Sequence, residues 1–130
     1  MFPAGSPVGF EPDSTAFVDP AGAAQALTPI AKWLAEDSLR LAAVVGTTAD
    51  VDSMAEQIAL SERRASSIRD ELVALGAARS QISTRGVGSA FPEFTPDRDA
   101  SGTLLAGPAA LNRSVRITLC AGDQPVQTCR

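Results

Sequence analysis

Two stretches of this chain decide its fold: Leu41-Ala42-Ala43-Val44-Val45-Gly46-Thr47-Thr48 and Leu60-Ser61-Glu62-Arg63-Arg64-Ala65. The first contains most of a nearly continuous apolar run over 39–46. Such a run is typical of a strand that is covered on both faces of its sheet. The second predicts the start of an amphipathic helix, which Ser61 can cap and whose first turn would hold Arg64. Apolar residues recur along this helix at helical spacing, and Gly76 ends it: Ala65, Ile68, Leu72 and Leu75.

A second helix is predicted on the N-terminal side of the strand. Asp19 can cap its free amides, and Pro20 fits the first helical position. Pro29 interrupts the apolar pattern, so the helix either kinks there or restarts with Thr28 as a second cap. Further upstream, residues 8–10 indicate a short opening strand.

On the C-terminal side, residues 81–85 alternate as a strand, and a long polar loop follows over 89–111. Within that loop, residues 107–111 are compatible with one helical turn. Val115, Ile117 and Leu119 then alternate with polar residues as a last strand. The order β-α-β-α-β-loop-β predicts a two-layer α/β sandwich.

Composition restricts the possible functions of the chain. Its 130 residues suit one domain, and the net charge of −4 argues against nucleic acid as a partner. The chain has no histidine, which is the commonest general base and a frequent metal ligand. No nucleophile motif or phosphate-binding glycine loop occurs, so we expect no enzymatic activity, no cofactor and no metal.

Two cysteines, Cys120 and Cys129, flank a predicted turn near the C-terminus. In an oxidising compartment a disulfide between them would close a short loop and make residues 120–130 a disulfide-linked hairpin tail. The alternative is a pair of free thiols on a frayed tail. A zinc site is disfavoured because two cysteines without histidine leave the coordination shell short.

The first residues do not form a signal peptide. Met1-Phe2-Pro3-Ala4-Gly5 lacks both a basic region and an apolar region. We therefore expect residues 1–7 to be the leader of a truncated chain, in which an exported protein begins after its targeting or anchoring segment.

Five motifs occur in order at compatible spacing. These are Val8-x-Phe10-x-x-Asp13-Ser14, Gly46-x-Thr48, Leu60-Ser61-x-x-Arg64-Ala65, Gly86-x-Gly88-Ser89 with Pro92, and Asn112-Arg113-x-Val115-x-Ile117. Over residues 8–119 the chain resembles the OmpA-like domain of OmpA-type outer-membrane proteins and peptidoglycan-associated lipoproteins. The resemblance implies an OmpA-like sandwich with a small mixed sheet, in which 89–111 is a long loop.

The resemblance also implies a ligand, the diaminopimelate of the peptidoglycan stem peptide. In the family an arginine binds its carboxylate and an aspartate binds its ammonium. Arg64 matches that arginine, and the helix N-terminus was expected to favour an anion there. Polar residues that match pocket positions of the family are Asp13, Thr48, Gln57 and Asn112.

The aspartate that binds the ammonium in the family is missing from this chain. Ala49 stands in its place, and Asp52 stands where the family has glycine. Losing the charge partner of a desolvated ammonium typically costs roughly 2–5 kcal/mol. Asp50 is the best candidate for a surrogate, with Asp52 the other, although neighbouring strand residues point to opposite faces. The alternative is that both are solvated loop acids.

Three further features allow alternatives. Arg64 can instead pair on the surface with Glu36, Asp37 or Asp13. The segment from Asp97 to Gly102 resembles half of a calcium loop, but Pro108 stands where a bidentate glutamate is required, which favours a polar surface loop. The apolar loop residues form either a satellite core or a contact patch for another protein: Phe91, Phe94, Leu104 and Leu105.

From the resemblance we expect a divergent, non-catalytic domain that attaches an envelope protein to the cell wall. It would lie outside the cytoplasm, in the periplasm or on the outer face of the plasma membrane, tethered by a segment absent from this chain. Its partner would be peptidoglycan, with other envelope proteins as further candidates. The alternative is a domain that has lost wall binding and acts as an interaction or assembly module of the envelope.

Overall fold

The structure is a computed structural model that describes residues 10–11, 14–49, 53–89, 96–105, 112 and 115–121. Its elements are α1 (Pro20–Ala35), β1 (Leu41–Gly46), α2 (Met54–Ala74), β2 (Ile82–Gly86) and β3 (Val115–Cys120). A short 3₁₀ turn, Arg79–Gln81, precedes β2. The two-layer α/β arrangement predicted from the sequence is confirmed.

The sheet is small and mixed, with β1 in the middle of the order β2-β1-β3. β1 runs parallel to β2, with Val44 opposite Thr84, and antiparallel to β3, with Val44 opposite Ile117. The predicted opening strand lies mostly outside the described residues. Of it, Phe10 is described, and it forms an isolated antiparallel bridge with Phe17.

The hydrophobic core lies between the helices and the sheet. α1 and α2 contribute one side, β1 and β3 the other, and Phe10 packs against the same cluster. Its most deeply buried side chains are Leu27, Leu34, Val44, Ile68, Leu72, Val115 and Ile117. The predicted stripe of α2 is confirmed, since Ala65, Ile68 and Leu72 are buried and Leu75 packs on the cluster.

α1 begins as predicted but does not restart at Pro29. The Asp19 carboxylate accepts a hydrogen bond from the Gly22 amide, and Pro20 occupies the first turn. Pro29 lies inside one continuous helix. The Thr28 hydroxyl donates to the carbonyl of Ala24, one turn back, so the prediction of Thr28 as a second cap is wrong.

The start of α2 was predicted too late. Ser53 is its N-cap and accepts a hydrogen bond from the Glu56 amide, so the helix begins two turns before Ser61. Ser61 is therefore a buried residue inside the helix, and the prediction that it caps α2 is wrong. The predicted end is correct, because Gly76 follows the helix with a φ of 118°.

Gln81 connects the end of α1 to the start of β2. Its side-chain nitrogen lies within hydrogen-bond distance of the carbonyls of Leu34, Asp37 and Arg40, at 2.7–3.1 Å.

Neither described helix is long and apolar enough to cross a membrane. The predicted helical turn at 107–111, the leader 1–7 and Cys129 lie outside the described residues.

Candidate functional site

Buried polar side chains gather beyond the C-terminal end of β1. Within the described ranges, all of the buried polar or charged residues except Gln81 belong to this group, which we call the polar cluster. Each is at most 2% exposed: Thr47, Thr48, Gln57, Ser61, Arg64, Asp97 and Asn112. Hydrogen bonds connect its members directly or through neighbouring backbone. Such a concentration is costly unless every group is satisfied, and it is typical of functional sites.

Arg64 is the largest member of the polar cluster and is 1% exposed. Its Nε donates to the carbonyl of Ser14 at 2.9 Å, Nη1 to that of Thr47 at 3.2 Å and Nη2 to that of Glu11 at 3.0 Å. The guanidinium also lies 5.2 Å from the centre of the Phe10 ring. Arg64 therefore joins the N-terminal segment and the end of β1 to the middle of α2.

Two expectations about Arg64 are wrong. It lies in the interior of α2 rather than in its first turn, so the helix dipole does not favour an anion beside it. It is also buried, so the alternative of a surface arginine is wrong. Of the partners considered there, Glu36 has its carboxylate 3.6 Å from Arg40 instead, whereas Asp13 lies outside the described residues. The physical reason for both is the early helix start at Ser53, which leaves Arg64 facing the end of β1.

Thr47 and Thr48 are equally buried but differ in their hydrogen bonds. The Thr47 hydroxyl donates to the carbonyl of Asn112 at 2.7 Å. The Thr48 amide donates to the carbonyl of Gly88 at 2.9 Å, whereas its hydroxyl has no hydrogen-bond partner among the described residues. A buried hydroxyl without a partner is a rare feature that calls for an ordered water or a ligand group.

Gln57 and Ser61 connect α2 to the end of β2. The side-chain oxygen of Gln57, Oε1, accepts from the backbone amide of Ser89 at 3.2 Å and from the Ser89 hydroxyl at 2.5 Å. The Ser61 hydroxyl accepts from the Gly88 amide at 3.0 Å and donates to the carbonyl of Ile58. Ser61 thus belongs to the polar cluster through the hydrogen bonds of its hydroxyl. The prediction of Ser61 as a helix cap did not include this role.

Close contact between α2 and the sheet brings these residues together. A Cβ added at Gly46 would collide with the carbonyl of Ser61, and one added at Gly86 would collide with the amide of Glu62. Both strand ends therefore need glycine, because the helix backbone lies directly against them. The two glycines allow Ser61 and Arg64 to reach the strand ends.

Asn112 and Asp97 complete the polar cluster. The Asn112 side-chain nitrogen donates to a carboxylate oxygen of Asp97 at 3.1 Å, and both residues are buried. Asp97 was interpreted from sequence as part of a polar surface loop and was not assigned to the site. The only available signal was its position between apolar stretches, which does not distinguish a buried acid from a solvated one.

Asp99 differs from Asp97 although it lies only two residues away. It is exposed and accepts hydrogen bonds from the Ser101 hydroxyl and from the amides of Ser101 and Thr103. The Ser101 hydroxyl, followed by these amides, holds the pKa of the Asp99 carboxyl below its usual value of 3.8. In the described part of the chain no three acidic or cysteine residues converge as a metal site would require.

The structure describes the position at which the family's ammonium-binding aspartate is replaced by alanine. Ala49 follows Thr48 directly and is 1% exposed. Asp13, Asp50 and Asp52 lie outside the described residues, so the surrogate for the ammonium partner stays a prediction. A carboxylate introduced at position 49 would begin in a buried environment.

Two surface cavities of about 520 Å³ each lie away from the polar cluster. One covers β1 and β2 and is mainly apolar; the other follows the exposed face of α2 beside Thr15. Arg64, Thr48 and Gln57 line neither of them. With Arg64 only 1% exposed, a ligand can reach its guanidinium only if the residues around it rearrange.

Comparisons with known proteins identify the family and the fold of this chain. A model of the OmpA family matches residues 9–102. Among solved structures, the peptidoglycan-associated lipoprotein from Burkholderia pseudomallei is similar at 23% identity and a TM-score of 0.72, over 87% of this chain and 88% of that one. The C-terminal domain of Helicobacter pylori MotB is similar at 22% identity and a TM-score of 0.68, over 88% and 84%.

The OmpA-like domain of FopA1 from Francisella tularensis is also similar, at 20% identity and a TM-score of 0.64, over 87% of this chain and 68% of that one. The comparison with curated proteins found no match. At these identities the solved structures establish the fold, and the family model adds the family.

Proposed function

Because this chain belongs to the OmpA family, we propose that it is a non-catalytic cell-envelope domain that binds peptidoglycan non-covalently. The observation that carries the proposal is the polar cluster, in which a buried arginine and an unsatisfied threonine hydroxyl lie at the end of the central strand. A similar fold in a protein described as a peptidoglycan-associated lipoprotein supports it.

The proposed ligand is the diaminopimelate of the stem peptide. Its carboxylate would bind the Arg64 guanidinium, because a hydrogen bond between two opposite charges is stronger than a bond from the guanidinium to a neutral carbonyl such as that of Ser14 or Glu11. The Thr48 hydroxyl would donate to the same ligand. Gln57, Asn112 and Asp13 would give polar support, and Asp50 would be the partner of the ammonium.

Sedimentation with purified peptidoglycan tests this function. We expect the wild-type domain to pellet with the wall and Thr48→Val to pellet less, since valine keeps the volume but removes the hydroxyl. Arg64→Ala should abolish pelleting, and Arg63→Ala is its matched control, because Arg63 is the adjacent exposed arginine of α2. Circular dichroism would verify that each variant is folded.

The proposed arginine contact would be contradicted by folded Arg64→Ala protein that pellets as wild type does. Equal loss in Arg63→Ala would instead indicate a nonspecific effect of charge. Soluble diaminopimelate added as a competitor should release the wild-type domain if the stem peptide is the ligand. Release by glycan fragments without the peptide would exclude this ligand.

The second candidate is an interaction or assembly module of the envelope that has lost wall binding. Two observations favour it: Ala49 is buried where the family has its aspartate, and Arg64 is already hydrogen-bonded to three carbonyls. This candidate predicts that the wild type stays in the supernatant and that Ala49→Asp brings it down with the wall. Wild-type protein that pellets with the wall would rule it out.

We also propose an extracytoplasmic location with a tether outside this chain, and a disulfide between Cys120 and Cys129. Cys120 lies at the end of β3 and is 3% exposed, while Cys129 is outside the described residues. Mass spectrometry before and after reduction tests the disulfide. If the disulfide is present, reduction adds the mass of two hydrogen atoms. An unchanged mass contradicts the disulfide.

A further inference from the structure

Asp97 is a buried acid that the proposed binding contacts do not use. It is 2% exposed, and it is the one buried residue of the described segment 96–105. Removing a carboxylate from water is expensive unless hydrogen bonds compensate for the loss. Its burial therefore implies that the carboxylate has a hydrogen-bonding role inside the domain.

A series of buried hydrogen bonds leads from Asp97 to Arg64. The Asp97 carboxylate accepts from the Asn112 side chain at 3.1 Å, and the Asn112 backbone carbonyl accepts from the Thr47 hydroxyl at 2.7 Å. The Thr47 carbonyl in turn accepts from Arg64 Nη1 at 3.2 Å. All four residues are at most 2% exposed, so water does not compete for these bonds.

The direction of the first bond follows from the chemistry of the two groups. An ionised carboxylate only accepts hydrogen bonds, so Asn112 must turn its amide nitrogen toward Asp97. Its amide oxygen then faces away from Asp97. The carboxylate thus determines both where Asn112 sits and which of its two side-chain ends is presented to its other neighbours.

The segment that carries Asp97 is organised by its own contacts. The Leu105 amide donates to the Asp97 carbonyl, Arg98 and Leu104 form an isolated bridge, and the Asp99 carboxylate caps the turn between them. These contacts hold the described part of the loop together through groups other than the Asp97 carboxylate. That carboxylate accepts from Asn112 and so connects the loop to the polar cluster.

We propose that Asp97 is a positioning residue of the site: by orienting Asn112 it places Thr47, and through the Thr47 carbonyl it sets the position of the Arg64 guanidinium. The consequence for peptidoglycan affinity rests on the proposed function. The effect on Arg64 does not, because it is a property of the free domain.

The test compares Asp97→Asn and Asp97→Leu with Asp99→Asn, a matched control on an exposed aspartate two residues away. The first readout is the NMR signal of the Arg64 Nε–H group in the free domain. We expect Asp97→Leu to move this signal most and Asp97→Asn less, since asparagine keeps one acceptor oxygen. Asp99→Asn should leave it unchanged. If Asp97→Leu does not fold, Asp97→Asn decides the matter.

The second readout is peptidoglycan affinity at a temperature where every variant is folded. Asp97→Leu should weaken it on the order of tenfold, as is typical of coupling between linked sites. A role confined to stability would lower the melting temperature while leaving both the Arg64 signal and the affinity as in wild type, and that result overturns the proposal. If wild type does not bind the wall, the proposed function fails, whereas the Arg64 signal still decides the role of Asp97.

Discussion

The centre of the domain and the polar cluster are equally buried but are stabilised by different forces. In the centre, Val44 and Ile117 pack against Leu27 and Leu72, and such contacts have no preferred direction. In the polar cluster, Arg64 and its neighbours depend on donors that face specific acceptors. Volume therefore decides what the centre tolerates, whereas donor geometry decides what the polar cluster tolerates.

The largest expected effect comes from Arg64→Lys, compared with a second conservative substitution on the same helix, α2, in the apolar centre. Arg64→Lys should lower the free energy of unfolding by roughly 3 kcal/mol, because a lysine ammonium cannot reach three carbonyls from separate segments. Ile68→Val, in the apolar centre, should cost only about 1 kcal/mol. Urea unfolding followed by Trp33 fluorescence measures both. Equal losses would remove the distinction between the regions.

The next effect concerns the contact between α2 and β1. Gly46→Ala should cost about 2 kcal/mol, because the added methyl group meets the backbone of Ser61 and the helix must shift. Gly102→Ala is a useful contrast, since its added methyl group meets nothing while its φ of 85° is unfavourable for alanine. Amide hydrogen exchange should show faster opening at Ser61 and Arg64 in Gly46→Ala only. Unchanged exchange there would contradict the tight contact.

The third prediction separates two adjacent threonines. Thr47→Val should cost about 1–2 kcal/mol, because it leaves the buried carbonyl of Asn112 without its donor. Thr48→Val should be neutral or should stabilise by about 1 kcal/mol, because it removes a buried hydroxyl that has no partner in the described part of the chain. Melting temperatures of the two variants provide the measurement. A loss in Thr48→Val as large as in Thr47→Val would mean that an ordered water satisfies that hydroxyl.

The smallest effect lies in the exposed loop. The pKa of Asp99 is lowered, chiefly by the Ser101 hydroxyl, so its ionised form is favoured in the folded state. Its contribution to loop stability is complete at a pH above the ordinary value of 3.8 and is lost as the pH falls through the lowered pKa. An NMR titration of the carboxyl carbon should show the Asp99 pKa rising toward 3.8 in Ser101→Ala. An unchanged pKa would exclude the hydroxyl as the main cause.

Periodic apolar patterns and caps were sufficient to predict most of the fold. The start of α1 at Asp19-Pro20, the strand β1 and the end of α2 at Gly76 all rest on local chemistry that the structure keeps. The start of α2 was wrong because residues 47–57 were interpreted as one connection. A serine followed three residues later by glutamate, Ser53 and Glu56, was a usable signal of the true start.

The candidate site was predictable in its members more than in its bonds. Arg64, Thr48, Gln57 and Asn112 were selected by resemblance, and all four are buried in the polar cluster. The carbonyl partners of Arg64 were not predictable, because every residue has a carbonyl and the sequence does not mark which ones lie nearby. Asp97 and Thr47 were missed for the same reason, since their roles depend on contacts between distant segments.

The central place of β1 has a consequence for how the protein is made. Both neighbours of this strand come later in the chain than β1 itself, and the antiparallel partner β3 comes last. During synthesis from the N-terminus, the apolar segment 41–46 therefore leaves the ribosome well before it can pair. Closing such distant pairings slows folding. The segment 41–46 is therefore the part of the sheet that waits longest with apolar surface exposed, and it depends most on protection from aggregation before β3 arrives.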